Sequence, residues 1–173
     1  PLIKNNKMWV GVTSFNQDML FISPEKIDPS KLPKTATRVV DGVAYLRSPS
    51  IWLSTLDHGR RHQPLPLMTM EENLKYSKHK EIKGKKAYDK YDNYDAIEVS
   101  FTDAIPSDYN GVMGVPISFL DKYNPEQFEI IGMAEDNGKG FSGGIWDGKN
   151  PHCVISEQNK FKRIFIKHKK VKK

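Results

Sequence analysis

The chain has 173 residues, a formal net charge of +6 at pH 7, 38% hydrophobic residues and 28% charged residues. These values indicate a globular chain with a core of its own and exclude a disordered one. No run of eighteen apolar residues is present, so neither a membrane-spanning helix nor a membrane partner is predicted. Because the chain opens at Pro1 without an initiator Met, we expect its numbering to start inside a longer protein.

The positive charge is concentrated at the C-terminal end. From Lys149 to Lys173 there are nine Lys and Arg residues and one acid, Glu157. A local excess of this kind favours a polyanion such as nucleic acid, through phosphate contact and counterion release. A solubilising, frayed tail is the alternative. The single cysteine, Cys153, cannot form an internal disulfide, which fits a reducing cytoplasm.

The first sixty residues have the pattern of strands joined by irregular connections, with no helix. Asp41-Gly42 lies between two apolar runs and is typical of a two-residue hairpin turn. Three prolines between residues 23 and 36 forbid a regular element there and predict a surface excursion. The predicted strands are Met8–Val12, Asp18–Ile22, Arg38–Val40, Val43–Leu46 and Ile51–Leu56.

The strand pattern dissolves near Arg60, which we take as a domain boundary. A helix is predicted near Met70–His79, followed by a lysine-rich stretch. At the end of the chain, alternation predicts a strand with Arg163, Phe165 and Lys167 on one face and apolar residues on the other. The predicted strands of this second part are Ile97–Phe101 (half exposed), Val115–Phe119, Phe128–Ile131 and Lys162–Ile166.

Two patterns match ligand-binding motifs by letter but lack the required context. Residues 138–143 read G-x-G-x-x-G, yet the glycines and the proline that follow prevent the helix that a dinucleotide site needs. His58 and His62, with Asp57 nearby, have the spacing of metal ligands on one helical face. Gly59 between them and two prolines after them argue against that helix, so we predict no metal site.

Arg60 and Arg61 carry the planar guanidinium fork that matches phosphate or the edge of guanine. From these residues alone, DNA contact and an exposed turn remain equal alternatives. The run from Tyr109 to Gly132 is dense in Gly, Pro and Asn. Such a run is typical of loops that hold polar side chains on short strands.

Three strings, "LDHGRRHQPL", "YDNYDAIEV" and "IPSDYNGVMGVPISFLDKYNPEQFEI", together resemble the C-terminal half of the EcoRI-type adenine-specific DNA methyltransferases. The resemblance runs from Leu2 to Lys167. Members of that family transfer a methyl group from S-adenosylmethionine to the exocyclic amine of an adenine flipped out of duplex DNA. The resemblance therefore implies a cytoplasmic enzyme of restriction-modification that acts on double-stranded DNA.

The family's catalytic N-P-P-F tetrapeptide and its glycine-rich cofactor loop do not occur in this sequence. Asn124-Pro125 and Asn150-Pro151 begin like the tetrapeptide but continue differently. The resemblance thus implies that both motifs lie upstream, in a missing N-terminal part of the same protein. It also implies that this fragment alone is inactive and binds no S-adenosylmethionine, and that none of its residues is catalytic, cofactor-binding or metal-binding.

The implied fold class is mixed α/β. Residues 1–59 would be the C-terminal part of a Rossmann-like methyltransferase sheet, with its sixth and seventh strands and an inserted loop. Residues 60–173 would form a strand-and-loop target-recognition region. Trp52, at the start of the last sheet strand, is the candidate to hold the flipped base, with a core tryptophan as the alternative. The candidate DNA-binding residues are Trp52, Arg60, Arg61, Asn110, Lys122, Asn124, Gln127, Arg163 and Lys167.

Two alternatives stay open. The first is a non-catalytic DNA-binding or accessory module, which the coding sequence upstream of Pro1 would distinguish from the enzyme. The second is a nuclease partner of the modification system, but no set of carboxylates and lysines has a spacing that fits two-metal hydrolysis.

Overall fold

The computed structural model describes residues 2–10, 19–22, 31, 37–48, 53–134 and 143–170. The chain divides into two compact units, one made of Pro1–Trp9 with Thr55–Lys173 and the other of Val10–Ser54. Trp52, most of the proline-rich excursion and residues 138–142 of the G-x-G-x-x-G match lie outside the described residues.

The strands within the first sixty residues form at or near the positions that apolar runs and turn chemistry predict. β1 (Trp9–Val10) and β5 (Leu53–Ser54) form a two-stranded sheet, and a three-stranded antiparallel sheet has the order β2-β4-β3. Asp41 and Gly42 both have positive φ, 50° and 77°, the geometry of a type I′ turn that Gly tolerates without strain. Val40 pairs with Val43, which confirms the hairpin. The three strands are β2 (Met19–Phe21), β3 (Thr37–Val40) and β4 (Val43–Ser48).

The helix of the larger unit, α1 (Met70–Tyr76), begins at a capping box. Thr69 Oγ1 accepts a hydrogen bond from Glu72 N, and Glu72 Oε2 accepts one from Thr69 N, at 3.2 and 2.7 Å. This reciprocal pair satisfies two backbone donors that the first turn leaves without helical partners. The predicted helix near Met70–His79 is therefore confirmed, with an end at Tyr76. The described 3₁₀ helices are Gly59–His62, Thr102–Ala104 and Ile117–Lys122.

A four-stranded sheet organises the larger unit. Its strand order is β6-β7-β11-β8, with β11 antiparallel to both neighbours and β6 parallel to β7. The predicted strand over Val115–Phe119 was wrong in position, because the strand ends at Val115. Pro116 has no N–H to continue a ladder, and the chain turns into the 3₁₀ helix instead. The four strands are β6 (Ile97–Glu98), β7 (Met113–Val115), β8 (Phe128–Met133) and β11 (Ile164–His168).

A small hairpin precedes the last strand of the sheet. It consists of β9 (Val154–Ile155) and β10 (Gln158–Asn159). Ser156 and Glu157 form its two-residue turn, both with positive φ. The hairpin therefore reverses the chain without a glycine at the turn.

Both faces of β11 are buried. Ile164 and Ile166 belong to a cluster that contains Phe119 and Phe128, whereas Phe165 packs on the opposite side with two tyrosines and a cysteine. The predicted alternation of faces is correct, and the face that carries Arg163 and Phe165 is buried as well. β6 was predicted half exposed, but both of its residues are buried. Burial of a large apolar side chain contributes about 1.5–3 kcal/mol to stability, so the buried side chains of β11 supply much of the stability of the core.

The architecture is a mixed α/β chain with several sheets. Among the described residues, none of the helices has the length and apolar character that crossing a membrane requires. Cys153 is a buried thiol whose pKa burial raises to about 12. It therefore stays protonated near neutral pH and packs as a small apolar side chain.

Candidate nucleic-acid interface

The two adjacent arginines of the 3₁₀ helix Gly59–His62 have different environments. Arg60 is 42% exposed at its side chain and contacts the Asp121 carboxylate at 3.4 Å. Arg61 is buried, lies 3.8 Å above the ring of Trp9 and donates to Asn6 Oδ1 at 2.7 Å. A cation over an indole face is held by the ring's quadrupole. Arg60 can therefore reach an outside ligand, whereas Arg61 stabilises the fold in this conformation.

The predicted base-reading amides, Asn124 and Gln127, have hydrogen bonds within the chain. Asn124 is 2% exposed, and its Oδ1 accepts from the backbone N of Glu126 at 2.8 Å. The Gln127 amide pairs with the backbone of Leu65, accepting from its N at 2.7 Å and donating to its O at 3.1 Å. These amides fix the turn after Asn124 and tie it to the segment that follows the 3₁₀ helix. They are not free to bond adenine in this arrangement.

Arg163 is also occupied internally. Its guanidinium meets both oxygens of Glu98, with Nη2 to Oε1 at 2.6 Å, and both residues are 8% exposed. Tyr91 Oη and Ser100 Oγ donate to the same carboxylate. Burial, and then the Glu98 charge, raises the pKa of Tyr91, so its hydroxyl keeps the proton that it donates. The alternating pattern did not reveal this network, because Arg163 and Glu98 lie 65 residues apart in the sequence.

The remaining predicted residues are accessible to different degrees. Asn110 and Lys122 are exposed, and Lys167 is half-buried. The Arg60–Asp121 ion pair brings Arg60 beside the segment that carries Lys122. Four of the predicted residues therefore remain candidates for DNA contact: Arg60, Asn110, Lys122 and Lys167. Of these, Arg60 lies beside the segment that carries Lys122.

His62 bridges two carboxylates from different parts of the chain. Its Nε2 lies 2.9 Å from Asp57 Oδ2 and its Nδ1 lies 3.1 Å from Glu126 Oε1. No group of three metal-ligating side chains occurs among the described residues. Of the two histidines at this spacing, His58 and His62, it is His62 that has a structural role: it joins the 3₁₀ helix to the Asn124 turn.

The pH dependence of stability should report the His62 bridge. Hydrogen bonds to Asp57 and then to Glu126 raise the pKa of His62, and the bond to His62 is the main cause that lowers the pKa of Asp57. A raised folded-state pKa makes protonated His62 favour the folded chain below about pH 6.5, and this contribution is lost as pH rises through the raised value. The Asp57 contribution is lost at the other end, as pH falls through its lowered pKa.

We expect the melting temperature of His62→Gln to fall below that of the parent chain at pH 6 and to approach it above pH 8. Melting curves of both proteins across this range provide the measurement. A difference that stays constant from pH 6 to pH 8.5 would contradict a charged bridge. Because His62 and both carboxylates are exposed, solvent screening keeps the expected effect small.

The fold and this surface define a class of protein. It is a mixed α/β chain in which loops and short helices around a buried sheet carry exposed polar and cationic side chains. The chain belongs to the family of EcoRI-type adenine-specific methyltransferases, because the family model described as "Adenine-specific methyltransferase EcoRI" matches residues 1–170. The resemblance predicted from the quoted strings is thereby confirmed.

Three curated relatives support the assignment. The chain is 41% identical over 174 residues to the type II methyltransferase M.EcoRI of Escherichia coli. This alignment covers 99% of this chain and 46% of that protein. It is 38% identical to M.MpnI of Mycoplasma pneumoniae, over 75% of this chain and 38% of the relative. It is also 38% identical to M.MgeORF184P of Mycoplasma genitalium, over 74% of this chain and 37% of the relative. The chain thus spans less than half the length of each relative, and no solved structure matches it.

Proposed function

We propose that this chain is the C-terminal part of a site-specific DNA adenine-N6 methyltransferase that uses S-adenosylmethionine, and that it contributes DNA recognition. The family match over residues 1–170 carries the proposal. Double-stranded DNA would be the macromolecular partner, in the cytoplasm, together with an N-terminal part of the same protein. Residues 1–59 would complete a Rossmann-like sheet, and residues 60–173 would form the target-recognition region.

The two Asn-Pro dipeptides support a catalytic centre outside this chain. Asn124 is buried and caps its own turn. Asn150 accepts two hydrogen bonds. Its backbone oxygen accepts one from Trp146 Nε1 at 2.8 Å, and its side-chain Oδ1 accepts one from His152 N at 2.9 Å. Both asparagines therefore have turn-forming roles. Neither is available to hold the amine of a flipped adenine, which is the task that the family's tetrapeptide performs.

The cavity that the larger unit carries between α1 and β6 does not fit S-adenosylmethionine. A cofactor of this kind needs a glycine loop between a strand and a helix N-terminus, or another deep pocket of about 300–1,000 Å³. The cavity between α1 and β6 has a volume of only about 20 Å³ and is lined by Leu74, Ile82, Tyr88 and the carboxylates of Glu81 and Glu98. It is small and lacks a phosphate-type or adenine-type cradle. We therefore propose that the cofactor binds in a part of the enzyme beyond these residues.

The test combines DNA binding with methyl transfer. We expect the 173-residue chain to bind duplex DNA with a salt-dependent affinity and a preference among sequences, and to transfer no methyl group from S-adenosylmethionine. A variant that ends at Lys169 removes tail lysines but retains β11 and the bond from Lys169 N to Gln127 O. Binding and preference should survive this truncation, because recognition is assigned to the folded part.

The outcomes separate the candidate functions. If the truncation abolishes binding and flattens the salt slope, the tail supplies the whole affinity and the recognition role fails. If the chain alone methylates adenine, the assignment of catalysis to another part fails. A sequence preference with no methyl transfer, even after the chain is joined to its upstream sequence, would instead indicate a non-catalytic DNA-binding module.

A further inference from the structure

A lysine-bearing turn follows α1, and none of its residues was a candidate for DNA contact. This basic turn, Lys80–Lys86, carries four exposed lysines against one acid, Glu81. Phosphate-binding surfaces commonly consist of such cations on a loop that a rigid scaffold positions. A phosphate site at the basic turn requires that the turn is held in place and that its lysines are not already neutralised by carboxylates.

Backbone hydrogen bonds and a buried side chain hold the basic turn in place. Ile82 is 6% exposed and belongs to the main apolar cluster. The N–H of Gly84 donates to the carbonyl of Leu74 in α1 at 2.8 Å, and Gly84 has φ +84°, a conformation that favours glycine. The turn is therefore attached to both the core and the helix.

The residue before the turn is held equally firmly. The carbonyl of His79 accepts from the N–H of Lys83 at 2.9 Å. Its ring stacks on Phe101 with 3.6 Å between ring centroids, and its Nε2 lies 2.8 Å from Asp103 Oδ1. Little backbone entropy is thus left to lose when a ligand binds the lysines, and such preorganisation favours affinity.

The lysines in and around the turn divide into two sets. Lys78, Lys85 and Lys90 are paired, with Asp103, Asp89 and Asp95 respectively. Within the described ranges, Lys80, Lys83 and Lys86 have no carboxylate partner at ion-pair distance. A cation already neutralised by a carboxylate gains less from a phosphate than a solvated one. The three unpaired lysines are therefore the phosphate-binding candidates.

We propose that Lys80, Lys83 and Lys86 bind phosphates of the DNA backbone. This inference rests on the proposed DNA-binding function and adds a sequence-independent contact site to it. Contacts to phosphate fix the position and orientation of a protein on the duplex but carry no sequence information. The three lysines should therefore contribute equally to binding of cognate and unrelated DNA.

The experiment compares two triple variants of the full chain with the same change in net charge. Lys80→Gln, Lys83→Gln and Lys86→Gln remove the unpaired set, and Lys78→Gln, Lys85→Gln and Lys90→Gln remove the paired set. Each released phosphate contact contributes about 0.9 to the slope of log K against log salt. We expect the unpaired-set variant to lose up to about 2.7 of that slope, with the preference between two duplex sequences unchanged, and the paired-set variant to lose less.

Two results would overturn the phosphate site while the proposed function stands. The first is an unchanged slope in the unpaired-set variant. The second is equal losses in the two variants, because these would indicate a response to net charge alone. A changed sequence preference also overturns it. If the folded parent chain shows no salt-dependent DNA binding, the proposed function and this inference fail together. Melting curves of all three proteins establish that they are folded.

Discussion

Replacing Arg163 by methionine is expected to lower the free energy of unfolding by about 3–5 kcal/mol, the usual cost of removing one partner from a buried ion pair. The substitution leaves the Glu98 carboxylate buried with only the hydroxyl donors of Tyr91 and Ser100. Methionine retains much of the apolar stem, so lost packing contributes little to the change. Denaturant unfolding of the two proteins measures the difference.

A double-mutant cycle gives the matched control. Glu98→Gln combined with Arg163→Met removes both charges, and the double variant is expected to be more stable than the Arg163→Met single variant. Additive losses would show that the two residues act independently. If Arg163 instead contacts DNA, as its type first suggested, Arg163→Met would weaken DNA binding and leave the free energy of unfolding unchanged.

Local sequence chemistry predicted the features that depend on a few neighbouring residues. Asp41-Gly42 specified a hairpin because its turn needs two residues with positive φ. The helix near Met70 was also predicted, and the spacing of Thr69 and Glu72 is a capping-box signal that could have given its first residue. In both cases the residues that decide the conformation lie within four positions of one another.

Features that depend on distant segments were predicted only in part. The period of two in β11 gave the right faces, but period alone does not tell a central strand from an edge strand. Phe165 pairs opposite Gly114 and Gly132, and this pairing is decided by sheet order. Covering β11 on both sides converts a predicted polar face into core.

The candidate site shows the same division. Asn124 and Gln127 have the chemistry of base readers, and residue type together with family position predicted that role. Their hydrogen-bond partners could not be predicted in the same way, because Gln127 bonds the backbone of Leu65, 62 residues away. Arg60 and Arg61 are adjacent and identical in type, yet only Arg60 keeps its guanidinium exposed. The difference in exposure depends on contacts with distant residues, Asp121 for Arg60 and Trp9 for Arg61, and could not be predicted from the arginine pair.

Phe165→Ala is expected to lower the free energy of unfolding by about 3–5 kcal/mol, and Phe161→Ala to change it by no more than about 0.5 kcal/mol. Phe165 is fully buried and lies 4.7 Å from the ring of Tyr94, measured between centroids. Phe161 is 82% exposed, so its truncation leaves no cavity. The two variants remove the same atoms four residues apart, which makes each a control for the other.

The comparison also tests whether β11 is a central strand of the four-stranded sheet with both of its faces packed. Loss of Phe165 creates a cavity between Tyr91, Tyr94 and Cys153, the residues that surround it on that side of the sheet. Equal stabilities of the two variants would contradict a central β11 whose two faces are both packed. A loss confined to Phe165→Ala instead requires both faces to be packed, and any DNA-binding role of this region must then lie in the loops around the sheet.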